Sequence, residues 1–305
     1  MKINVIGGIN VDIEGTPYGE LLYQDSNPGA ISINFGGVGR NVVENIARLG
    51  GAVKMISVAG DDFAGREAVN QLEKLGVDTR GIRILKNKTT AMYLSILNKD
   101  KDMEIAMCDM HIIEAIDEAF IDESLDSSDD FEILGVDCNF KEDILRYICD
   151  KASDKLLFLE PVSAAKAARA KDIIGKFDII KPNRFEAEVL AGISISSEED
   201  LHKAGNIFLE KGVKEIYITL NKDGVYYRTK ETEGIMKPKD TKIVSATGAG
   251  DSFSGAILLG KAKGFNPEKI SQFGVTVAAI SMESNSAVNP ELTYEEVIKR
   301  EKIYD

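Results

Sequence analysis

The sequence predicts an α/β fold of three layers, a mostly parallel central sheet between helices, with a small β-sheet appended. Three observations predict it. Short apolar runs alternate with helix-period segments along most of the 305 residues, the pattern of a parallel sheet covered on both faces. Glycines close the helical stretches, as C-terminal stops do. Two stretches, residues 13–35 and 88–109, carry β-type patterns and turns with no helix between them.

Ile3–Ile6 reads as the first strand, stopped by Gly7-Gly8. Val42, Val43, Ile46 and Leu49 make one apolar stripe, so Asn41–Leu49 is expected to be helical, ending at Gly50-Gly51. Val53–Val58 is expected as a strand and Gly65–Leu75 as a helix ended by Gly76. Ile133–Val136, Leu156–Leu159, Ile179-Ile180 and Glu215–Thr219 follow as strands, and Ala164–Ile174, Arg184–Ala191 and Glu198–Lys211 as helices. Ala91–Leu97 and Glu104–Met107 flank the polar turn Asn98–Asp102, a hairpin signature. The small sheet built from residues 13–35 and 88–109 cannot bury both faces by itself. It is expected to act as a lid over a ligand, as a dimer surface, or both. With no repeat or Pro-rich linker, residues 1–305 are expected to form one domain.

Apolar residues make up 44% and charged residues 29% of the chain, as in ordinary globular proteins. The net charge of −13 repels nucleic acid phosphates and anionic lipid. Neither a nucleic acid polymer nor a membrane is expected as a partner, and an anionic ligand would need local positive potential. Cys108, Cys138 and Cys149 form no C-x-x-C pair, which argues for a reducing compartment and against a disulfide framework or zinc site. The N-terminus runs straight into a strand pattern without a leader signature, and no apolar run approaches the roughly 20 residues of a membrane span, so a cytoplasmic location is expected. His111 and His202 lack clustered partners, and the acidic run Asp117–Asp130 reads as a solvated helix–loop face.

Four segments carry chemistry. Ala246-Thr247-Gly248-Ala249-Gly250-Asp251 precedes a helical run. Small residues there admit a ligand to the backbone, and the free N–H groups of the helix form an anion hole suited to a transferring phosphoryl group. Asp251 at the head of that helix can take a proton from an attacking hydroxyl, or simply cap the helix. Phe35-Gly36-Gly37-Val38-Gly39-Arg40-Asn41 again puts glycines at a helix N-terminus and favours ligand contact over a simple turn. Asn10-x-Asp12 pairs an amide and a carboxylate that can hold a vicinal diol, or form a turn. Lys181-Pro182-Asn183-Arg184-Phe185-Glu186 offers oxygen ligands for Mg²⁺, through water, or a capping box.

In this order the four segments resemble the ribokinase (PfkB) family of carbohydrate kinases over essentially the whole chain, the small sheet included. A narrower set resembles its pseudouridine kinase branch: Asp25-Ser26-Asn27-Pro28-Gly29, Gly36–Asn41, Asp109-Met110, Asp137-Cys138-Asn139, Glu160-Pro161-Val162-Ser163 with Lys166, and Lys181–Arg184. The resemblance implies a ribokinase-like fold and an ATP- and Mg²⁺-dependent kinase acting on a small nucleoside. In it Asn10, Asp12, Asn41 and the backbone of Gly36, Gly37 and Gly39 hold the ribose. Asn27, Thr90 and Tyr93 cover the base, and Asp109, Asp137, Asn139 and Lys166 border the substrate or phosphate. Asn183 and Glu186 stand by the metal and phosphates, Thr219, Gly224 and Thr247 line the nucleotide side, and Gly248, Ala249 and Gly250 stabilise charge while Asp251 acts as base. Other nucleosides, free sugars and a silent ligand-binding homologue remain alternatives. Two departures stand out: Asn221 replaces the first glycine of Thr-x-Gly-x-x-Gly at Thr219–Gly224, and Ser245 replaces the aspartate of potassium-activated members, leaving K⁺ dependence open. A homodimer through the lid is expected.

Overall fold

The computed structural model describes residues 1–127, 130–238 and 243–302. The first half of the chain forms β1 (Ile3–Ile6), β2 (Asn10–Pro17), β3 (Gly29–Gly36), α1 (Val38–Arg48), β4 (Val53–Gly60), α2 (Phe63–Lys74), β5 (Asp78–Leu85), β6 (Ala91–Leu97), β7 (Met103–Asp109), α3 (Glu118–Asp126) and β8 (Ile133–Asp137). The second half adds α4 (Glu142–Lys151), β9 (Leu156–Glu160), α5 (Ala164–Ala167), β10 (Ile179–Ile180), α6 (Arg184–Ala191), α7 (Glu198–Lys211), β11 (Glu215–Thr219), β12 (Val225–Arg228), β13 (Glu233–Met236), α8 (Ala249–Ala262), α9 (Pro267–Ser281) and α10 (Tyr294–Lys302).

Nine strands make one sheet in the order β13-β12-β11-β10-β9-β8-β1-β4-β5. From β11 to β5 the pairings are parallel, and β12 and β13 extend the edge antiparallel. Buried runs such as Ile3–Ile6 and Ile133–Asp137 suit strands covered on both faces. One face is packed by Val42 and Ile46 of α1, Leu72 of α2, Phe253 and Ile257 of α8 and Ile270 of α9. The other is packed by Phe120 of α3, Leu145 of α4, Leu190 of α6 and Phe208 of α7. This is the expected three-layer α/β/α architecture.

A second sheet has the order β3-β2-β6-β7. Its register places Ile33, Ile13, Leu94 and Met107 in one row and Ile31, Gly15, Ile96 and Ile105 in the next row on the same face. The opposite face carries the row Asn34, Asp12, Tyr93 and Cys108.

The expected helix over Ala164–Ile174 is broken. Only Ala164–Ala167 is α-helical, followed by 3₁₀ turns at Ala168–Ala170 and Ile174–Lys176. Arg169 donates to the carbonyls of Asn139 (2.9 Å) and Phe140 (3.2 Å), and this tertiary pinning overrides helix propensity. Of the acidic run, positions 128 and 129 lie outside the described residues. Asp117 caps α3, and Asp122 and Asp126 pair with Lys151. The three cysteines are free. Among the described residues no helix is long and apolar enough to cross a membrane.

Candidate active site

Strands β1, β8, β9, β10 and β11 run in one direction, so their C-terminal ends share one edge of the sheet. Open α/β sheets bind ligands along that edge. Gly7-Gly8, Asp137, Glu160, Lys181 and Thr219 all lie there, and the N-terminus of α8 stands over them.

Gly248 precedes α8 with φ 79, and a Cβ at this position would lie 1.8 Å from the Ala287 carbonyl oxygen. Only glycine fits such a turn. Ala249 and Gly250 follow in the first helical turn with amides that have no intrahelical acceptor. Asp251 is half-buried and accepts a 2.8 Å hydrogen bond from Asn41 Nδ2. Burial, and then the charge of Glu160, push its carboxyl up to about 7, while the Asn41 bond and the Lys181 charge hold it down. The Ala249 N–H makes only a long 3.4 Å bond, to the Ala246 carbonyl outside the helix, and a carboxylate titrating near neutrality beside such a helix N-terminus is chemically a base facing an anion site.

Asn41 ties this turn to the glycine segment 210 positions away in the chain. Gly37 adopts φ 101, and a Cβ on it would stand 2.4 Å from the Gly8 carbonyl oxygen. The turn is packed backbone to backbone on the loop after β1. Asp137, fully buried, accepts from the amides of Gly8 (2.8 Å) and Gly39 (3.1 Å) and clamps the two loops together. Burial raises its carboxyl above the usual range, although the Gly8 and Asn139 bonds and Lys166 oppose this. Asn10 Nδ2 donates to Asp12 at 2.7 Å, and Gly36 lies against both side chains. Burial raises Asp12 in turn.

On the other flank, Asn183 and Glu186 form a complete capping box. Asn183 Nδ2 and its backbone N–H each donate to Glu186 at 2.8 Å, and Asn183 Oδ1 accepts from Glu186 N at 3.0 Å. Glu186 is buried, and burial followed by the Glu160 charge raises its carboxyl. Thr219 bridges to Asn183 in parallel register. Lys166 Nζ donates to Asn139 at 2.6 Å.

The sequence pattern that defines the pfkB family of carbohydrate kinases matches residues 1–293. The chain belongs to that family. The pseudouridine kinase of Escherichia coli strain K12 is 32% identical over 295 residues, which is 96% of this chain and 94% of that protein. The guanosine-inosine kinase of Exiguobacterium acetylicum is 29% identical over 283 residues, 91% of this chain and 93% of that one. A candidate sugar kinase from Clostridium perfringens, known from a crystal structure, superposes with a TM-score of 0.91 at 33% identity, covering 99% of this chain and 95% of that one.

In this pfkB-family chain the departure at Asn221 falls where the backbone is left-handed. Asn221 takes φ 55, the left-handed conformation that asparagine tolerates and glycine would supply. Leu220 N donates to the Gly224 carbonyl at 2.8 Å and closes the loop. Thr247 is exposed, and its backbone N–H donates to Ser245 Oγ at 3.2 Å. The geometry thus joins Asn10, Asp12, Gly36, Asn41 and Asp251, and separately Asn183, Glu186 and Thr219.

It does not bring every expected residue to that line. Thr90 is buried, with its hydroxyl donating to Asp62 and accepting from Gly60 N, so its side chain pins the base of the small sheet and is not free to cover a ligand. The Asn27 side chain bonds Leu22 and Asp25 within its own loop. Asp109 is exposed and pairs with His111. Tyr93 shares a row with Asp12. Sequence reasoning assigned no role to Glu160 and Lys181. Both are charged residues that end apolar strand runs, Leu-Leu-Phe-Leu-Glu160 and Asp-Ile-Ile-Lys181, and that was the available signal.

Proposed function

We propose that this chain transfers the γ-phosphoryl group of ATP to the 5′-hydroxyl of pseudouridine, giving pseudouridine 5′-phosphate and ADP, with Asp251 as general base. The observation that carries the reading is Asp251 itself, half-buried at the head of α8, bonded to Asn41 and raised to about 7. Asn10, Asp12 and Asn41 are assigned to the ribose hydroxyls. The amides of Gly248, Ala249 and Gly250 are assigned to the charge that develops on the migrating phosphoryl group. The small sheet, with Tyr93 on the Asp12 side, is assigned the part of a lid that excludes water. The likeness to the E. coli relative supports the choice of pseudouridine, and the likeness to the purine nucleoside kinase sets the alternative.

Among the described residues no three His, Cys, Asp or Glu side chains converge on one point. Mg²⁺ is commonly held by one or two carboxylates together with substrate phosphates and water. Glu186 fits that mode. Its capping bonds fix the carboxylate. When bound, Mg²⁺ would neutralise phosphate charge. Ser245 presents no carboxylate for K⁺, so K⁺ against Na⁺ is a variable of the assay. The free cysteines suit a reducing compartment, and we place the reaction in the cytoplasm.

The apolar face of the small sheet is assigned to a second copy of the chain. Ile31 is 75% and Met107 70% exposed on it, and such contiguous patches mark interaction sites. The deciding experiment measures ADP release with pseudouridine, uridine, inosine, guanosine, ribose and fructose, with the product checked by mass. Pseudouridine is expected to give the highest kcat/KM. Faster turnover of a purine nucleoside or free sugar would refute the substrate assignment.

A further inference from the structure

Lys181 ends the apolar run of β10 and is only 4% exposed. Its Nζ lies 2.8 Å from Glu160 Oε2. Glu160 is held in turn: its carboxylate accepts from Ser254 Oγ and, at 3.3 Å, from Val162 N. Val162 has φ 70, a left-handed conformation that is costly for a β-branched residue. The ammonium therefore has a fixed place, and that place is under the first turn of α8. A Cβ built on Gly250 would lie 3.2 Å from Lys181 Nζ. The groups that act on the Asp251 carboxyl come from four parts of the fold: Asn41 of α1, Asp137 of β8, Glu160 of β9 and Lys181 after β10.

A buried ion pair loses about as much solvation as it regains in attraction, and apolar side chains of equal volume hold a fold as well or better. The position of this pair suggests another use. We propose that Lys181 is a positioning residue of the transfer site, the positive end of a fixed dipole that faces the Gly248–Asp251 turn. The ammonium favours an anion at the amides of that turn and keeps the base ionised against Glu160. This rests on the kinase reading above. In a chain of net charge −13, it supplies the local positive potential that an anionic ligand needs.

The test uses Lys181→Met, which keeps length and removes charge, Lys181→Arg as the conservative variant, and Lys181→Met/Glu160→Met, which leaves no buried charge alone. Titration of the Asp251 carboxyl is followed by carbon NMR, with the signal assigned by its loss in Asp251→Asn. The midpoint is expected to rise by about one pH unit or more in Lys181→Met and to stay near the parent in Lys181→Arg. An unchanged midpoint in Lys181→Met overturns the proposal. The double variant is expected to melt near the parent, to lose about a hundredfold in kcat, as on removal of one oxyanion donor, and to keep its KM for the nucleoside. Parent-like turnover in the folded double variant also overturns it, and decides the matter if Lys181→Met fails to fold. If the parent transfers no phosphoryl group, the kinase reading falls, and the NMR midpoint still judges Lys181.

Discussion

Asp251→Asn should make the protein more stable, and only above a certain pH. The carboxyl titrates at about 7 in the folded chain against an ordinary value of 3.8. Between these values the folded chain keeps a proton that the unfolded chain has released. Folding then takes up a proton, and stability falls as pH rises through that window. Above about 7 the penalty is complete. The difference, 7 less 3.8, is about three pH units, which at ~1.36 kcal/mol each bounds the penalty at ~4 kcal/mol. The side chain keeps some contact with solvent, which lowers the expected gain to about 2–3 kcal/mol. Asparagine is nearly isosteric and still accepts the bond from Asn41. Thermal unfolding of parent and variant is compared from pH 4 to pH 9. The melting temperatures should converge near pH 4 and separate by on the order of 5 °C at pH 8.5, the variant being higher. Over the same range kcat/KM of the parent should rise through about 7 to a plateau, and the variant should lose about 10²–10⁴ in kcat. A pH-independent difference in melting, or a variant that melts lower at pH 8.5, would show that Asp251 is an ordinary carboxylate and would remove the physical basis for its role as base.

Gly248→Ala must leave the left-handed region or clash with the Ala287 carbonyl at 1.8 Å. It should cost at least about 2 kcal/mol by urea titration and abolish transfer while circular dichroism stays native-like; near-parent activity would contradict the fit of this turn. Asp137→Ala strips the acceptor from the buried amides of Gly8 and Gly39. Each orphaned group costs ~1–3 kcal/mol, so the urea midpoint should drop sharply, and a shift below ~1 kcal/mol would mean that the two loops do not depend on this clamp. Ile33→Lys puts a charge in the middle of the apolar face of the small sheet. Sedimentation should show a dimer for the parent and a monomer for the variant at equal melting temperature, whereas a monomeric parent ends the dimer assignment.

The central strands were legible because they are buried on both sides, which leaves mostly apolar runs such as Ile-Asn-Val-Ile and Leu-Leu-Phe-Leu. The edge strands β5 and β13 went unnamed, as did β12 beside β13. The two edge sequences, Asp-Thr-Arg-Gly-Ile-Arg-Ile-Leu and Glu-Gly-Ile-Met, mix charge and glycine because one edge meets solvent, and β12 is only four residues long. Helix α1 starts three residues before the expected Asn41, within the glycine segment, where no apolar stripe marks a helix. Asn183 and Glu186 show a limit of another kind. One residue pattern suits both a cap and a metal site, and here the cap is formed in full, with both Glu186 carboxylate oxygens accepting from Asn183. Glu160 and Lys181 were passed over because their pairing spans two strands and appears only when β9 and β10 lie side by side.

The glycine segments invite a choice between ligand contact and tight packing, and tight packing is what the geometry shows. A side chain on Gly37 would strike the loop after β1, one on Gly39 would strike Gly7, and one on Gly36 would strike Asp12. These glycines let the start of α1 sit directly on that loop. Only there can Asn41 reach Asp251 at 2.8 Å. Burial of the Asp251 carboxyl in this crowded place, and then the Glu160 charge, raise its titration to about 7. Packing by the glycines thus sets the place from which Asn41 reaches Asp251. A bulkier residue at position 37 should lower activity through the Asp251 titration, shifting the acid limb of kcat/KM, before it alters any contact with substrate.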